Sequence, residues 1–596
     1  MARVGALSLV VIACFTARAE AAVEIMKEAD VKPGMKGYGL SVFKGGAIER
    51  FDVEVIGTLK NVMPKHSIIL VRCAGQGLER TGIIAGMSGS PVYIDGKLIG
   101  AIAYGWGFSK DPVGGVTPIE AMLEEGRRPL HGELARRGNK RKDAKTQSEE
   151  ISVIAPSRLG DFALNQAAVD GAIRPLATPV VMAGFDPRVV ERLRPELANF
   201  GMMPAQGAGG GPMAAPGGAA LDLTPGAAIG VQLMRGDLNM TGVGTVTHRD
   251  GNRVLAFGHP MFGLGEQYMP ITTAWVHHVF AGMAQSFKMA SPIDVVGSLT
   301  GDRQPCIVGE VGRKVDTIPV TVNIARADGS YKRIYKVQVL KHRLFFPVLA
   351  RAAVVSAMLA AEGDLAEATY SMGVTIKMKG REPLKLKTDI FSPIGLFDPR
   401  AMFFGTGVLA VSALLNNPFA PVEIESVTHD ISIAFKRDFA MIESVYLAEW
   451  EVVEGGTVDL YVVLRPIRGE PFTIKVPARI PDGLGGRDAV IEVAAGRETR
   501  PDQAPPHTLD DFIRNIREEY DARTIVATVG RNAWGVKMRG AKLEHLPRTF
   551  LEVLTPTQTV VGGGMVYNDV EVTKKSIGRL VSGRAHLRVR VVERKD

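Results

Sequence analysis

Residues Thr81–Tyr104 read TGIIAGMSGSPVYIDGKLIGAIAY, and this stretch decides the fold around it. Apolar residues lead up to GMSGSP, a second apolar run follows, and Asp95-Gly96 predicts a tight turn before a returning strand. Ser88 is therefore predicted to lie on a glycine-flanked bend between two strands. Such a bend lets a substrate carbonyl approach backbone N–H groups. The same six residues also fit an ordinary Gly/Ser turn at a barrel corner, so both interpretations stay open on this motif alone.

The length and composition indicate a globular protein of several domains. With 596 residues, 46% of them hydrophobic and 22% charged, the chain is expected to fold into three or four domains. The formal net charge of +8 is spread along the sequence, and the one dense basic run is RRGNKRKDAK at 136–145. That run contains no aromatic residue, so we interpret it as a solvated linker and expect no nucleic-acid partner.

The N-terminus has the pattern of a targeting segment. Arg3 precedes the apolar run Val4–Phe15, and Ala19-Glu20-Ala21 offers a small-residue cleavage site, so residues 1–21 are predicted to be a signal peptide. The run is too short for a comfortable membrane span. Cys14 fits, as a minor alternative, the lipidated residue of a bacterial lipoprotein. Both interpretations predict export to the periplasm, the cell envelope or the medium, and they leave membrane or envelope association open.

Two cysteines remain after cleavage near Ala21, and their state is left open. Cys73 and Cys306 fit either a single disulfide in an oxidising compartment or two buried thiols. No Cys/His spacing suggests a zinc site, and we predict neither a metal nor a cofactor.

The residues around the serine motif predict a compact, mostly β unit over 31–125. Strands are expected at Tyr38–Phe43, Glu49–Leu59 and Ser67–Cys73. The run GVTPIEAMLEE predicts a helix, with Thr117 as its N-cap and Pro118 at its first position.

A second informative region lies later, at Gly226–Pro270. Strands are predicted at Gly242–Thr247 and Arg253–Phe257, on either side of the turn RDGN, and Gly258-His259-Pro260 follows the second strand. A histidine held between glycine and proline lies on a stiff bend. From the residues alone it is most simply a structural imidazole bonded to backbone, and His248, His277 and His278 are interpreted as structural or surface residues.

Several separated motifs resemble one peptidase family. The run Gly34–Thr58, the core GMSGSPVYIDGKLIGA and the closing GVTPIEAML resemble the serine half of the stage IV sporulation protein B (SpoIVB) peptidase family. The segment VGTVTHRDGNRVLAFGHP resembles the histidine half of the same family. In the sporulation peptidase the histidine segment comes first, whereas here the serine segment precedes it, which looks like a circular permutation.

The resemblance implies an exported bacterial serine peptidase with a trypsin-like double β-barrel and a protein or peptide substrate. By this resemblance Ser88 is the nucleophile, His259 is the general base, and the N–H groups of Gly86 and Ser88 form the oxyanion hole. Ser90 is discounted as the nucleophile because Pro91 follows it and the family places the nucleophile at the first serine. The reversed chain order does not preclude catalysis, because the nucleophile and the base need only lie close together in the folded protein.

The family's aspartate is not matched. It lies shortly before the serine in the family, but the corresponding stretch here, LVRCAG at 70–75, contains no carboxylate. Three outcomes stay open: a backbone carbonyl orients His259, another acid substitutes, or the site is impaired. The candidate acids are Asp302 and, more weakly, Asp237.

The whole chain is predicted to be mostly β, in the α+β class. Phe345–Ala361 is interpreted as a buried helix, because it is short for a membrane span and contains Arg351. The predicted units are the serine half at 31–125, a linker and small α/β insert with a Gly/Ala/Pro-rich loop at 126–220, the histidine half with packing helices at 221–415, an immunoglobulin-like β-sandwich at 421–500 and an α+β segment at 505–596.

Two functions of different classes remain. The first is an exported serine endopeptidase that cleaves itself or a few envelope proteins. The second is a catalytically impaired, peptidase-like envelope scaffold or binding protein, since a fold does not settle activity.

Overall fold

The structure is a computed structural model of the chain. It describes residues 23–63, 66–106, 109, 111–130, 173–207, 214–362, 367–397, 407–538, 540–544, 546–554 and 565–594. The predicted signal peptide, Cys14 and the basic run at 136–145 lie outside these residues.

The N-terminal strands close into a six-stranded barrel. Pairing runs β1-β2-β3-β6-β5-β4, and β4 pairs again with β1, so the ring has no free edge; β7 adds to β5 outside it. Ser88 lies in the connection that leads into β4. The strands are β1 (Lys36–Val42), β2 (Ile48–Met63), β3 (His66–Ala74), β4 (Pro91–Ile94), β5 (Lys97–Gly105), β6 (Val113–Pro118) and β7 (Arg174–Pro175).

The middle of the chain forms one mixed sheet of thirteen strands. Six of them, in the order β10-β13-β14-β15-β12-β11, close a second ring because β11 also pairs with β10. The strands are β8 (Thr178–Ala183), β9 (Met202–Gly207), β10 (Ala228–Gly236), β11 (Asn239–Asp250), β12 (Arg253–Ala256), β13 (Met269–Phe280), β14 (Phe287–Arg303), β15 (Cys306–Val311), β16 (Thr317–Arg326), β17 (Lys332–Leu340), β18 (Ala368–Met378), β19 (Leu384–Ser392) and β20 (Ile424–Ala434).

The remaining strands form two facing sheets over one apolar core. The structure divides this region differently from the sequence: β20 pairs with β16 and β18 of the thirteen-stranded sheet, and strands beyond 505 complete the sandwich. β21 pairs in parallel with β29, and local sequence patterns cannot predict a pairing between strands so far apart in the chain. The strands are β21 (Phe439–Tyr446), β22 (Glu451–Val453), β23 (Thr457–Pro466), β24 (Phe472–Arg479), β25 (Asp488–Ala495), β26 (Thr524–Met538), β27 (Ala541–Leu543), β28 (Met565–Ser576), β29 (Leu580–Ser582) and β30 (Arg584–Val592).

Helices are few and pack on the sheets. The helix at Phe345–Glu362 is long and apolar enough to cross a membrane by length and composition, but 83% of its most apolar window is buried inside the protein, as expected for a core helix. Arg351 on it pairs with Glu196. The helices are α1 (Leu78–Thr81), α2 (Ile119–Gly126), α3 (Pro187–Ala198), α4 (Phe345–Glu362), α5 (Val408–Leu415), α6 (Leu509–Arg517) and α7 (Arg548–Leu554).

The predicted cap of α2 is wrong. The helix begins at Ile119, and its N-cap is Pro118, which makes no side-chain cap bond. Thr117 lies in β6, and its hydroxyl donates at 2.6 Å to the carbonyl of Gly258 in the other barrel. The local pattern was that of a cap, but the hydroxyl is used in a contact between distant parts of the chain.

The two cysteines are free thiols, which corrects the disulfide alternative. Cys73 is buried in the core of the N-terminal barrel, and Cys306 lies in a separate apolar cluster with Leu98 and Met122. Burial raises the pKa of the Cys73 thiol to about 12 and raises that of Cys306 as well. Both behave as small apolar side chains.

The two rings meet over apolar side chains from both. Leu98 and Ile119 of the first ring region pack with Leu255 of the second, and Val42 packs with Val243. The serine and histidine segments lie at this junction.

Candidate active site

The serine segment forms a tight loop between α1 and β4. Gly86 and Gly89 have φ values of +96° and +97°, in the region that glycine adopts readily and other residues rarely do. The amide of Met87 donates to the Ile84 carbonyl at 3.0 Å, and the amide of Ser90 donates to the Met87 carbonyl at 2.8 Å. The predicted glycine-flanked bend is confirmed.

Ser88 is placed in this loop with unsatisfied hydrogen-bonding groups. Its side chain is fully buried, and its Oγ has no hydrogen-bond partner among the described residues. Among the described residues, the amide N–H groups of Gly86 and Ser88 have no backbone or side-chain acceptor. Buried polar groups are normally paired, so unpaired groups at one place require an explanation.

The histidine segment is equally constrained. Phe257 and Gly258 have φ values of +69° and +68°, and for Phe257 this is a strained conformation that costs on the order of 1–3 kcal/mol. His259 follows and is only 2% exposed. Strain of this kind persists where the surrounding structure fixes the backbone.

A backbone carbonyl orients the imidazole of His259. Its Nδ1 lies 2.8 Å from the carbonyl oxygen of Pro260. Because a carbonyl only accepts, Nδ1 carries the proton and Nε2 presents its lone pair, which is the tautomer that a general base needs. Nε2 is buried and has no partner among the described residues. Burial lowers the pKa of His259 to about 4, so the ring is neutral at pH 7.

The two segments interlock through direct hydrogen bonds. The amide of Thr245 on β11 donates to the Ser88 carbonyl at 2.8 Å, and the hydroxyl of Thr247 donates to the Gly89 carbonyl at 2.8 Å. A Cβ on Gly89 would lie 1.9 Å from the Thr245 carbonyl oxygen and 2.5 Å from the Phe257 amide nitrogen. Only glycine permits this approach, which brings the residue after Ser88 against the strand that leads to His259.

The neighbouring strand β5 touches both segments as well. The Ile102 carbonyl accepts the amide of Gly89 at 2.7 Å, and a Cβ on Gly258 would lie 3.4 Å from the same carbonyl oxygen. Ser88 and His259 are each one residue from these glycines. The fold thus brings together two residues that are far apart in sequence, with Ser88 Oγ and His259 Nε2 not hydrogen-bonded to each other.

Asp302 lies close to the site, but its carboxylate makes no hydrogen bond to the imidazole of His259, as an orienting acid would. Its carboxylate accepts the amides of Met261, Phe262 and Gly263 at 2.7, 2.8 and 2.9 Å. The prediction that Asp302 orients the ring is therefore corrected: it fixes the loop that follows His259. Burial raises the pKa of Asp302, and the backbone N–H bonds oppose that shift.

Asp237, the weaker candidate, lies elsewhere. It is exposed, and its carboxylate accepts the amide of Lys336 at 2.7 Å. Of the other histidines singled out in the sequence, His277 Nε2 bonds Ser291 Oγ at 2.8 Å and His278 is exposed. His248 is half-buried, and its Nδ1 has no partner among the described residues.

Sequence reasoning missed a buried lysine beside the serine loop. Lys288 on β14 is fully buried, and its Nζ donates to Ser41 Oγ at 2.8 Å and to Thr245 Oγ1 at 3.4 Å. Ser41 Oγ is in turn 2.9 Å from Ser90 Oγ. No local signal distinguishes Lys288, because the same strand also contains Asp294, Asp302 and Arg303.

Comparison with known proteins identifies one family. The model of the SpoIVB peptidase S55 family matches residues 7–123, which include the whole serine loop. No curated protein and no solved structure matched the chain. The N-terminal region therefore carries a SpoIVB-type serine peptidase domain, and this family implies protein substrates. His259 lies outside the matched residues.

Proposed function

We propose that the protein is an exported bacterial serine endopeptidase that uses Ser88 as nucleophile and His259 as general base. One observation carries the proposal: the serine loop and the histidine segment pack against each other, and both carry buried polar groups without a partner. The groups are Ser88 Oγ, His259 Nε2 and the amides of Gly86 and Ser88, none of which bonds any described residue. These are the groups that acyl transfer to serine requires.

The chemistry follows from the tautomer. Ser88 Oγ attacks the scissile carbonyl while His259 Nε2 takes its proton, and the amides of Gly86 and Ser88 stabilise the oxyanion. The imidazolium then protonates the leaving amine, and an acyl-serine remains. Water attacks the acyl group with His259 again as the base, which restores both side chains.

The protein is expected to turn over slowly. The imidazolium forms against the Pro260 carbonyl instead of a carboxylate. In a triad built around an aspartate, loss of that acid's function lowers kcat by about 10⁴. Slow chemistry suits an enzyme that cleaves itself or a small set of envelope proteins, which is the substrate class we propose.

The same observation supports a second candidate, an impaired peptidase-like envelope scaffold. Ser88 and His259 are both buried and lack a mutual hydrogen bond, and the C-terminal sandwich offers a separate module for binding.

Labelling with a fluorophosphonate probe decides between the two. Purified mature wild type should form a covalent adduct, and Ser88→Ala and His259→Ala should not. Ser330→Ala and His278→Ala, at exposed positions far from the loop in sequence, serve as matched controls and should label like wild type. Peptide mapping should place the adduct on Ser88. Absence of labelling in folded wild type would refute the enzyme and favour the scaffold.

A further inference from the structure

Lys288 is a buried amine with no carboxylate partner among the described residues. Its side chain is fully buried, and its hydrogen bonds in that part of the chain go to two hydroxyls, those of Ser41 and Thr245. The ring of Phe43 lies 5.8 Å from Nζ. Burying an ammonium without a counter-charge costs free energy, so an apolar side chain at this position would make the protein more stable.

The lysine packs directly against the serine loop. A Cβ on Gly86 would lie 3.3 Å from both Cβ and Cδ of Lys288, so the aliphatic stem lies against this glycine. The backbone is joined as well, because the Lys288 amide donates to the Ala85 carbonyl at 3.0 Å and the Ala85 amide donates to the Ser286 carbonyl at 2.8 Å.

The two hydroxyls that accept from the amine also bond the serine loop. Thr245 Oγ1 accepts from Lys288, so its own proton is directed to the Gly86 carbonyl, 2.9 Å away. Ser41 Oγ also accepts from Lys288, and it lies 2.9 Å from Ser90 Oγ in a bond where either hydroxyl can donate. The amine therefore holds, through two hydroxyls, the residues two positions before and two positions after Ser88.

We propose that Lys288 is a positioning residue for the serine loop: through Thr245 and Ser41 it fixes Gly86 and Ser90, and so aligns Ser88 and the two oxyanion N–H groups. The proposal rests on the proposed function for its catalytic consequence. Burial lowers the pKa of Lys288 to about 7. The neutral amine retains two N–H groups, so both donated bonds survive its deprotonation.

Lys288→Met is the informative variant, because methionine keeps most of the length and the apolar contact with Gly86 but removes the donor. The rate constant of fluorophosphonate inactivation should fall by about 10- to 100-fold, a typical cost of a displaced reacting group, while the concentration for half-maximal inactivation stays unchanged. The urea midpoint at pH 7 should stay level or rise, since a buried amine has been replaced by an apolar group. A role limited to stability predicts the reverse: a lower midpoint and an unchanged rate constant.

A double-mutant cycle tests the route through Thr245. If Lys288 acts on Gly86 through this hydroxyl, Lys288→Met should cost less in a Thr245→Val background than in wild type. The route would be overturned if Lys288→Met and Thr245→Val had fully additive effects on the inactivation rate constant, and if Lys288→Met and Ser41→Ala were also additive.

Hydrogen exchange separates this proposal from the proposed function. Peptides covering 82–90 should exchange faster in Lys288→Met than in wild type, while peptides of the C-terminal sandwich should be unchanged. This readout needs no activity, so it applies even if wild type fails to label. Unchanged exchange across 82–90 would overturn the proposal, whichever way the labelling experiment comes out.

Discussion

The contact between Gly89 and the histidine strand gives the sharpest test of how the site is assembled. In Gly89→Ala the new Cβ would lie 1.9 Å from the Thr245 carbonyl oxygen and 2.5 Å from the Phe257 amide nitrogen. Both neighbours are backbone atoms held in strand pairing or in a strained turn, so neither can move as a side chain would. The two segments must therefore separate.

The magnitude has two parts. Alanine at φ +97° costs about 1–2 kcal/mol in conformational energy, and forcing a methyl group into a packed interior costs about 1–3 kcal/mol. The free energy of unfolding should therefore fall by roughly 2–5 kcal/mol.

Gly96→Ala is the matched control. Gly96 has a φ of +75°, but a Cβ added there would meet no atom within 4 Å. This variant carries the conformational part alone, so urea denaturation followed by circular dichroism should show a smaller loss than for Gly89→Ala. Gly89→Ala should also stop labelling at Ser88 while remaining folded, whereas Gly96→Ala should label. Equal effects of the two variants on stability and labelling would refute the interlocking of the two segments.

Three further predictions follow from the surroundings of the site. Asp302→Asn should lower the free energy of unfolding by about 1–3 kcal/mol, since an amide cannot accept all three N–H groups equally well. The same variant should slow labelling by far less than the roughly 10⁴-fold expected on loss of an orienting acid. A full 10⁴-fold loss would contradict the role of Asp302 in fixing the loop. Burial lowers the pKa of His259 to about 4, so its contribution to stability is fully present above pH 6.5 and is lost as the pH falls to 4, by about 3 kcal/mol; acid titration of the urea midpoint should be shallower in His259→Gln, and an identical slope would contradict it. Because Cys73 and Cys306 are buried free thiols, a reductant should leave the melting temperature unchanged and a thiol reagent should react only after unfolding; rapid reaction of the folded protein would show that they are accessible.

Local patterns predicted the parts of the site that local chemistry determines. The bend at Ser88 follows from glycines that alone tolerate φ values near +97°, and the strand before His259 follows from an apolar run and the turn RDGN. The N-terminus of α6 is local in the same way, because Thr508 and Asp511 form a capping box within four residues.

Relations between distant residues could not be predicted in the same way. Thr117 had the pattern of a helix cap, yet its hydroxyl bonds Gly258. Lys288 is one of many basic residues, and nothing in its own neighbourhood says that it is buried against a serine loop. The sandwich was divided wrongly because β21 pairs with β29, a strand far along the chain. In each case a long-range contact overrides a sound local signal.

The position of Asp302 explains why the serine is expected to be only weakly activated. Its charge is directed to three backbone N–H groups of the loop after His259, so the carboxylate stabilises the position of the ring but not the charge that forms on it. The Pro260 carbonyl supplies orientation and a partial dipole where a triad supplies a full negative charge. Orientation of the tautomer and electrostatic support are thus separated in this site, which predicts a nucleophile that is correctly presented but weakly activated. A covalent probe that reacts slowly and only at Ser88 is the expected signature of such a site.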